Sequence, residues 1–413
     1  MTENAQSPPR AGPISETLFI SALGVAQICS WGSLYYAFPL IAEQIERETG
    51  WTRTSLYGAA SIGLLLTALA SFPIGRAIDR GHGRLIMTGG SVLAGCLLLA
   101  WSQVNDLLGL YVIVGLLGAL QAATLYEPAF AVIARRFGAA KARSGITALT
   151  LWGGFASTVF IPLIQILIDT SGWCGALVTL GAINLTVCAG LYWAVIQPHT
   201  DVAHADTPPD GQPPPRHVWN AMQSPVFWTL ALAFTAHAAA FTAFTFHLYP
   251  LLLERGFEPS AIVVAMALIG PAQVGGRIAI TMLAGKASMR RIGSFVVIGF
   301  PLGFAALVFL PPSYALILVV TVLYGAANGI LTIVRAAAVP EMLTRNSYGA
   351  VMGAMNIPAT IARALAPVGA AALWSVSKSY DPVLVAILVG AAVLAFGFWV
   401  AAFLSARRVE VNS

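Results

Sequence analysis

Twelve times along this chain a run of some 20 or more mostly apolar residues recurs, separated by short polar breaks. A helix needs about 20 such residues to cross the hydrocarbon of a bilayer. Inside that medium every backbone polar group must be bonded within the protein, which leaves only helices and closed barrels. None of the runs alternates polar and apolar residues as barrel strands do. The sequence therefore predicts an all-α membrane protein with spans at roughly 17–42, 54–76, 85–105, 107–134, 145–168, 173–196, 225–253, 260–285, 291–310, 313–339, 348–376 and 382–405. Composition agrees: 58% of residues are hydrophobic and 9% charged, against about 25% charged in soluble domains.

Lys and Arg placement orients these spans. With both termini cytoplasmic, the inner tails and loops hold 15 of the 22 basic residues, and the outer loops hold four: Arg47, Arg53, Arg255 and Lys378. An even number of spans predicts this bias; an odd number would invert half of the chain. The polar start, MTENAQSPPRAGPISET, precedes an apolar run without an A-x-A site, so no removed signal peptide is expected.

The longest polar interruption, QPHTDVAHADTPPDGQPPPRHVWN, follows the sixth span and reads as a flexible linker. It divides the chain into an N-terminal tail (1–16), a six-helix bundle (17–196), a cytoplasmic linker (197–224), a second six-helix bundle (225–405) and a C-terminal tail (406–413). The halves echo each other. GALQAATLYEPAFAVIARRF (118–137) lies on GAANGILTIVRAAAVPEMLTR (325–345), with Glu127 and Arg335 nine or ten residues after the opening Gly-Ala. Paired six-span halves are a common transporter design, with substrate held near the midplane between them.

Between the second and third spans lies GRAIDRGHGR (75–84). Glycines there let two helix ends approach, and an Asp between arginines can make charge-assisted bonds across a seam. The loop resembles the signature of the major facilitator superfamily, G-x-L-x-D-R-x-G-R-R. Gly75, Asp79, Arg80, Gly83 and Arg84 match; Ala77 replaces Leu, and one extra residue precedes Gly83. That resemblance implies two pseudo-symmetric six-helix bundles working by alternating access. ETGWTR (48–53) is similar to the E-x-G-W-S/T-R opening of the second span in bacterial relatives of monocarboxylate transporters and oxalate/formate antiporters. IGPAQVGGRIA (269–279) resembles the eighth-span segment of monocarboxylate transporters, with Arg277 in place and Gln273 where those relatives carry Asp. The drug/proton antiporter pattern R-x-x-Q-G is absent from the fourth span, where Gly115 stands in place of the Arg.

Four ionisable residues besides histidines fall within spans: Glu127, Arg277, Arg335 and Arg363. A charge at the bilayer centre costs at least about 2.5–3.5 kcal/mol, so such residues usually face the interior or an aqueous path. Arg363 lies nearest a span midpoint, followed by Arg277, while Glu127 and Arg335 are closer to cytoplasmic ends and suit a gate. Three arginines against one glutamate call for a visiting anion. The resemblance adds that oxalate/formate antiporters hold carboxylates with basic residues in spans eight and eleven, which carry Arg277 and Arg363. A guanidinium fork can bind a carboxylate bidentately. Gln27, Trp31 and Tyr35 form a stripe in span one, and Asn356, Thr360 and Arg363 another in span eleven. Gln273 shares a face with Arg277. His237, near the middle of span seven, is a candidate proton carrier alongside Glu127, whereas His247 reads as bonded to a neighbouring helix.

No P-loop, no reactive triad and no metal-ligand spacing occurs, and the four cysteines form no CxxC. The expectation is a secondary transporter, not an enzyme, without cofactor, metal or nucleic-acid partner. It would act as a monomer in a bacterial inner membrane on a small, anionic substrate, a mono- or dicarboxylate, with proton coupling left open. The alternatives are a proton-coupled exporter of drug-like molecules and a non-transporting sensor of the same fold.

Overall fold

A computed structural model describes residues 15–198, 219, 221–283, 287–343 and 348–411. Most of the expected linker and N-terminal tail lies outside them, as do the last two residues. The described residues contain helices and no strands.

Among the described residues, eleven stretches are long and apolar enough to cross a membrane, and one of them, Ser144–Val195, has 52 residues. At about 1.5 Å per residue it would be more than twice as long as a bilayer core is thick. It breaks at Gly172, where φ is +69° and ψ 174°, a conformation that L side chains rarely adopt. Twelve crossings result: α1 (Glu16–Thr49), α2 (Arg53–Ala77), α3 (Arg80–Trp101), α4 (Leu107–Phe137), α5 (144–171), α6 (173–195), α7 (Pro225–Glu254), α8 (Pro259–Ile280), α9 (Met289–Phe309), α10 (Tyr314–Arg335), α11 (Val351–Ser377) and α12 (Asp381–Ala406). α1 runs seven residues past the expected 42 because hydropathy marks the hydrocarbon core, whereas the helix continues as a polar extension carrying Glu43, Glu46 and Arg47. Side-chain caps fix several starts: Thr52, Asp106 and Ser313 accept from Ser55 N, Gly109 N and Leu316 N.

Packing follows a twofold pattern. α2 packs on α4 as α8 does on α10, α3 on α6 as α9 on α12, and α1 on α6 as α7 on α12. Between halves, α2 meets α11 and α5 meets α8. The repeat read in the sequence has a packing cause. A Cβ on Gly118 would sit 2.1 Å from Gly63 O, and one on Gly325 would sit 2.7 Å from Ile269 O. Each glycine lets α4 or α10 touch the backbone of its neighbour, as small residues do in membrane bundles.

One apolar core runs through the first half at the Gly50 end, across the seam and into the second half. A second, smaller core, around Leu23, Ile133 and Tyr192, fills the other end of the first half alone. The halves are therefore fused at one end, here termed the latched end.

Candidate functional site

The seam is organised by prolines. A proline has no N–H to give the carbonyl one turn earlier, and in a bilayer that carbonyl needs another donor. Pro271 frees Ala267 O of α8, which accepts from Thr158 Oγ1 of α5 at 2.8 Å. Pro250 frees Phe246 O of α7, which accepts from Tyr57 Oη of α2 at 2.9 Å. In both cases the donor comes from the opposite half. Pro128 frees Thr124 O inside the first bundle, where Gln27 Nε2 donates at 2.7 Å and Tyr192 Oη at 3.1 Å. Pro39 likewise frees Tyr35 O, and α1 widens into a π-turn over Gly32–Tyr36, a distortion frequent at functional sites.

That turn presents Tyr35 and Tyr36 towards the seam within an aromatic cluster. Trp31 lies 5.3 Å from Tyr35 and 4.9 Å from Tyr126 by ring centroids, Tyr35 lies 5.4 Å from Tyr36, and Tyr35 crosses the seam to Phe246 at 5.2 Å. A narrow cavity between the halves adjoins it, with Tyr36 and Ser157 on one side and Phe241, Met266, Gln273 and Tyr324 on the other.

The arginines approach this cluster from two places. Arg363, half-buried near the middle of α11, is within electrostatic reach of Tyr35 and His237. It makes no hydrogen bond or ion pair among the described residues. Arg277 is within reach of Tyr36 and Tyr126, but its Nη1 donates to Thr150 O across the seam at 2.9 Å and its Nε to Gly329 O at 3.2 Å. Gln273, one turn from Arg277, lines the cavity.

Other expected site residues lie elsewhere. Gln27 is fully buried inside the first bundle, with Nε2 committed to Thr124 O, Leu125 O and Tyr192 Oη. Its Nε2 repairs the Pro128 break, while its Oε1 is buried without a hydrogen-bond partner among the described residues. Arg335 donates to Asn356 Oδ1 and stands 5.6 Å from the Phe234 ring, so Asn356 is engaged within the second half. Glu127, in the first turn of the segment after that break, is exposed, and no ion pair between it and Arg335 occurs among the described residues. His237 faces a separate space inside the second bundle, beside Phe241, Phe300 and Tyr324. In the 75–84 loop, Gly81 takes φ +93°, Gly83 lets α3 approach Val132 of α4, and Arg84 lies 3.6 Å over the Trp193 ring. Arg80 is exposed and Gly75 has open space around it; the Asp79 side chain lies outside the described residues.

Sequence reading missed the latched end. Arg53, counted there as a loop charge, is largely buried and pairs with Glu46 at 2.7 Å and Glu43 at 3.3 Å. It crosses the seam to place its guanidinium 4.3 Å from the Trp374 ring and to donate to Tyr380 Oη at 3.1 Å. Tyr380 Oη lies 2.9 Å from His247 Nδ1, and His247 Nε2 lies 2.9 Å from Pro367 O. A carbonyl only accepts, so Nε2 carries a proton; Nδ1 then accepts from Tyr380, whose oxygen accepts from Arg53. Burial holds the Tyr380 phenol above its ordinary pKa, with Arg53 pulling the other way, so it stays a donor. ETGWTR and the nearby Glu43 and Glu46 were the available signal.

The family model described as Major Facilitator Superfamily matches residues 23–367. The chain belongs to the major facilitator superfamily. Among relatives, human monocarboxylate transporter 11 is 32% identical over 266 residues, covering 61% of this chain and 52% of that protein. Rat monocarboxylate transporter 13 is 28% identical over 335 residues, covering 80% and 74%. The match thus spans only about half of the first of these relatives. Among solved structures, the nucleoside transporter NupG superposes with a TM-score of 0.72 at 13% identity, covering 94% of this chain and 99% of that one. A bacterial homologue of the human lysosomal transporter Spinster, inward-facing and unoccupied, gives 0.69 at 14%, covering 95% and 98%. At these identities the structures establish the fold alone, twelve helices in two related bundles; family membership rests on the model matched across residues 23–367.

Proposed function

We propose that this transporter carries a small organic anion by secondary active transport, with the latched end outside and both termini in the cytoplasm of a bacterial cell. The observation that carries the reading is Arg363. A guanidinium at mid-bilayer with no hydrogen bond or ion pair among the described residues costs at least about 2.5–3.5 kcal/mol, and a carboxylate held by its fork offsets that cost. The relatives' names, monocarboxylate transporters, point to the same ligand chemistry. Arg277 enters differently: it is committed to Thr150 O and Gly329 O in this state, so it becomes a second anion contact only when those bonds exchange. The Glu127–Arg335 pair is the gate at the inner mouth, formed when that mouth closes.

The test is uptake of carboxylates into proteoliposomes by wild type, Arg363→Gln and Arg277→Gln. Uptake is expected to fall at least about ten-fold in Arg363→Gln, the loss of one charge-assisted contact, and less in Arg277→Gln. Transport of a neutral or cationic substrate at the wild-type rate by both variants would sink the reading. Coupling to protons runs through His237 or Glu127; uptake with unchanged pH dependence in both His237→Asn and Glu127→Gln would remove it.

A further inference from the structure

We infer that His247 is a proton-operated catch on the latched end: that end closes only over a neutral imidazole, and a proton taken up there holds it open. The inference is independent of what the carrier transports and of which proton travels with it.

The closed geometry leaves no place for a second ring proton. His247 is fully buried, with Nε2 2.9 Å from Pro367 O and Nδ1 2.9 Å from Tyr380 Oη. The carbonyl fixes the one ring proton on Nε2, so Nδ1 offers its lone pair to the phenol. The phenol oxygen already accepts from Arg53 Nη1 at 3.1 Å. A proton on Nδ1 would turn the Tyr380 bond round: the phenol oxygen would receive two donors while its own hydrogen lost its acceptor. It would also set an imidazolium one oxygen away from the Arg53 guanidinium.

The charges nearby do not compensate. Arg53 of α2 is the charged group that acts on the ring. Behind it stand Glu43 and Glu46 of α1, which pair with it, and Arg47, which pairs with Glu43 at 3.2 Å. These two acids and two bases balance, so a charge on His247 is a net addition to a buried place. Glu254 of its own helix takes the Tyr380 N–H, and Lys378 lies 5.5 Å from the Trp374 ring. Tyr57 of α2 stacks on the imidazole at 4.2 Å, but its π face returns less to a cation than leaving water costs.

The cover over the ring comes from the opposite half. Tyr57 lies on its face and, through its hydroxyl, holds Phe246 O, the carbonyl freed by Pro250. One turn further along α2, Ser61 Oγ accepts from Val368 N, beside the carbonyl that Nε2 binds. When the latch opens, Tyr57 and Arg53 leave together and water reaches the ring. Nδ1 is then free to bind a proton near the ordinary imidazole value of about 6.5. The open form thus binds one proton more than the closed form. Closure is undiminished above that pH and weakens as pH falls through it, by about ten-fold per unit. With the latched end outside, as proposed above, external acid favours the form open to the outside.

The test is hydrogen–deuterium exchange of the purified full chain without substrate, followed in the α7 segment 242–254 from about pH 8 to about pH 5.5 and corrected for the chemical pH dependence of amide exchange. Wild-type exchange is expected to stay flat down to about pH 6.5 and to rise by up to about ten-fold per unit below it. His247→Gln keeps a donor for Pro367 O and an acceptor for Tyr380 but takes no proton, so slow exchange is expected throughout. His247→Ala keeps neither bond, and fast exchange is expected at every pH. An acid-driven rise that survives in His247→Gln overturns the inference and makes Glu43 or Glu46 the sensor. A flat wild-type profile, or slow exchange in His247→Ala, overturns it too. If glutamine fails to hold the latch and both variants exchange fast throughout, Glu43→Gln and Glu46→Gln decide. An acid response kept in both is then expected, and its loss in either overturns the inference. Neither substrate nor sidedness enters the measurement, so each of these outcomes leaves the anion reading standing.

Discussion

Glu48 and Glu254 close the first helix of their respective halves, and each accepts an indole N–H at 2.6 Å, from Trp173 and Trp374. Each is followed two residues later by a glycine in the left-handed region, Gly50 at φ +68° and Gly256 at φ +82°, which ends the helix as αL caps do. Each tryptophan comes from the corner between the fifth and sixth helices of its half. The same clasp has thus been built twice. Its surroundings differ. The Trp173 clasp joins elements of the first half only, whereas the Trp374 ring also carries Arg53 from the opposite half, and Tyr380, bonded through its N–H to Glu254 Oε1, takes the same arginine.

The difference separates what must persist through a transport cycle from what must break. A clasp within a bundle moves as a rigid piece when the halves rock. Arg53 on Trp374 and Tyr380, Tyr57 on Phe246 O and Thr158 on Ala267 O all join the halves, so the latched end opens only if they release. Each neutral hydrogen bond contributes about 0.5–1.5 kcal/mol net, small enough to break one after another. The carbonyls freed by Pro250 and Pro271 suit that purpose, since a seam hydroxyl is borrowed and can be returned.

The comparison breaks most visibly at Arg53. In Arg53→Ala, Glu43 and Glu46 lose their partner and both cross-seam contacts vanish together. Removing one member of a largely buried pair costs about 3–5 kcal/mol. A fall in melting temperature is expected, with much faster labelling of a Ser61→Cys reporter by a membrane-impermeant maleimide. Unchanged labelling would mean that Arg53 does not hold the seam.

Trp374→Phe comes next. It removes the indole N–H from the exposed Glu254 and leaves a smaller face under Arg53, at a cost of about 1 kcal/mol, and both stability and reporter labelling should change. Tyr57→Phe is milder: it keeps the ring stacked 4.2 Å from His247 and deletes only the bond to Phe246 O, about 1 kcal/mol. Labelling should rise modestly. If it rises as much as in Arg53→Ala, the freed carbonyl matters more than the ion pairs, and the ranking is inverted.

Local patterns were legible and long-range partners were not. Span number, the two halves, the 75–84 loop and the placing of Arg363 at mid-span follow from composition and position along a helix. The Gly118 and Gly325 repeat was visible as letters, and packing supplied its meaning. Every proline was equally visible, but the sequence does not say which hydroxyl 100 or more residues away will reach the carbonyl it frees. The partners of Gln27 were hidden for the same reason, since the carbonyls its amide binds lie in α4. Arg53 was misplaced because charge near a span end reads as loop, and only its burial against Trp374 and Tyr380 reveals the latch.

The smallest effect on the seam is the sharpest check. Trp173→Phe removes the N–H from Glu48 as Trp374→Phe removes it from Glu254, so the chemistry deleted is the same. Glu48, like Glu254, is exposed to water, which allows partial replacement of the bond, and the expected loss of stability is about 1 kcal/mol. No cross-seam hydrogen bond or ring contact involves Trp173 among the described residues, so labelling of the Ser61→Cys reporter should match wild type while Trp374→Phe raises it. Equal labelling changes in the two variants would mean that each clasp loosens the whole latched end through its bundle, and the distinction between a clasp that persists and one that must open would be lost.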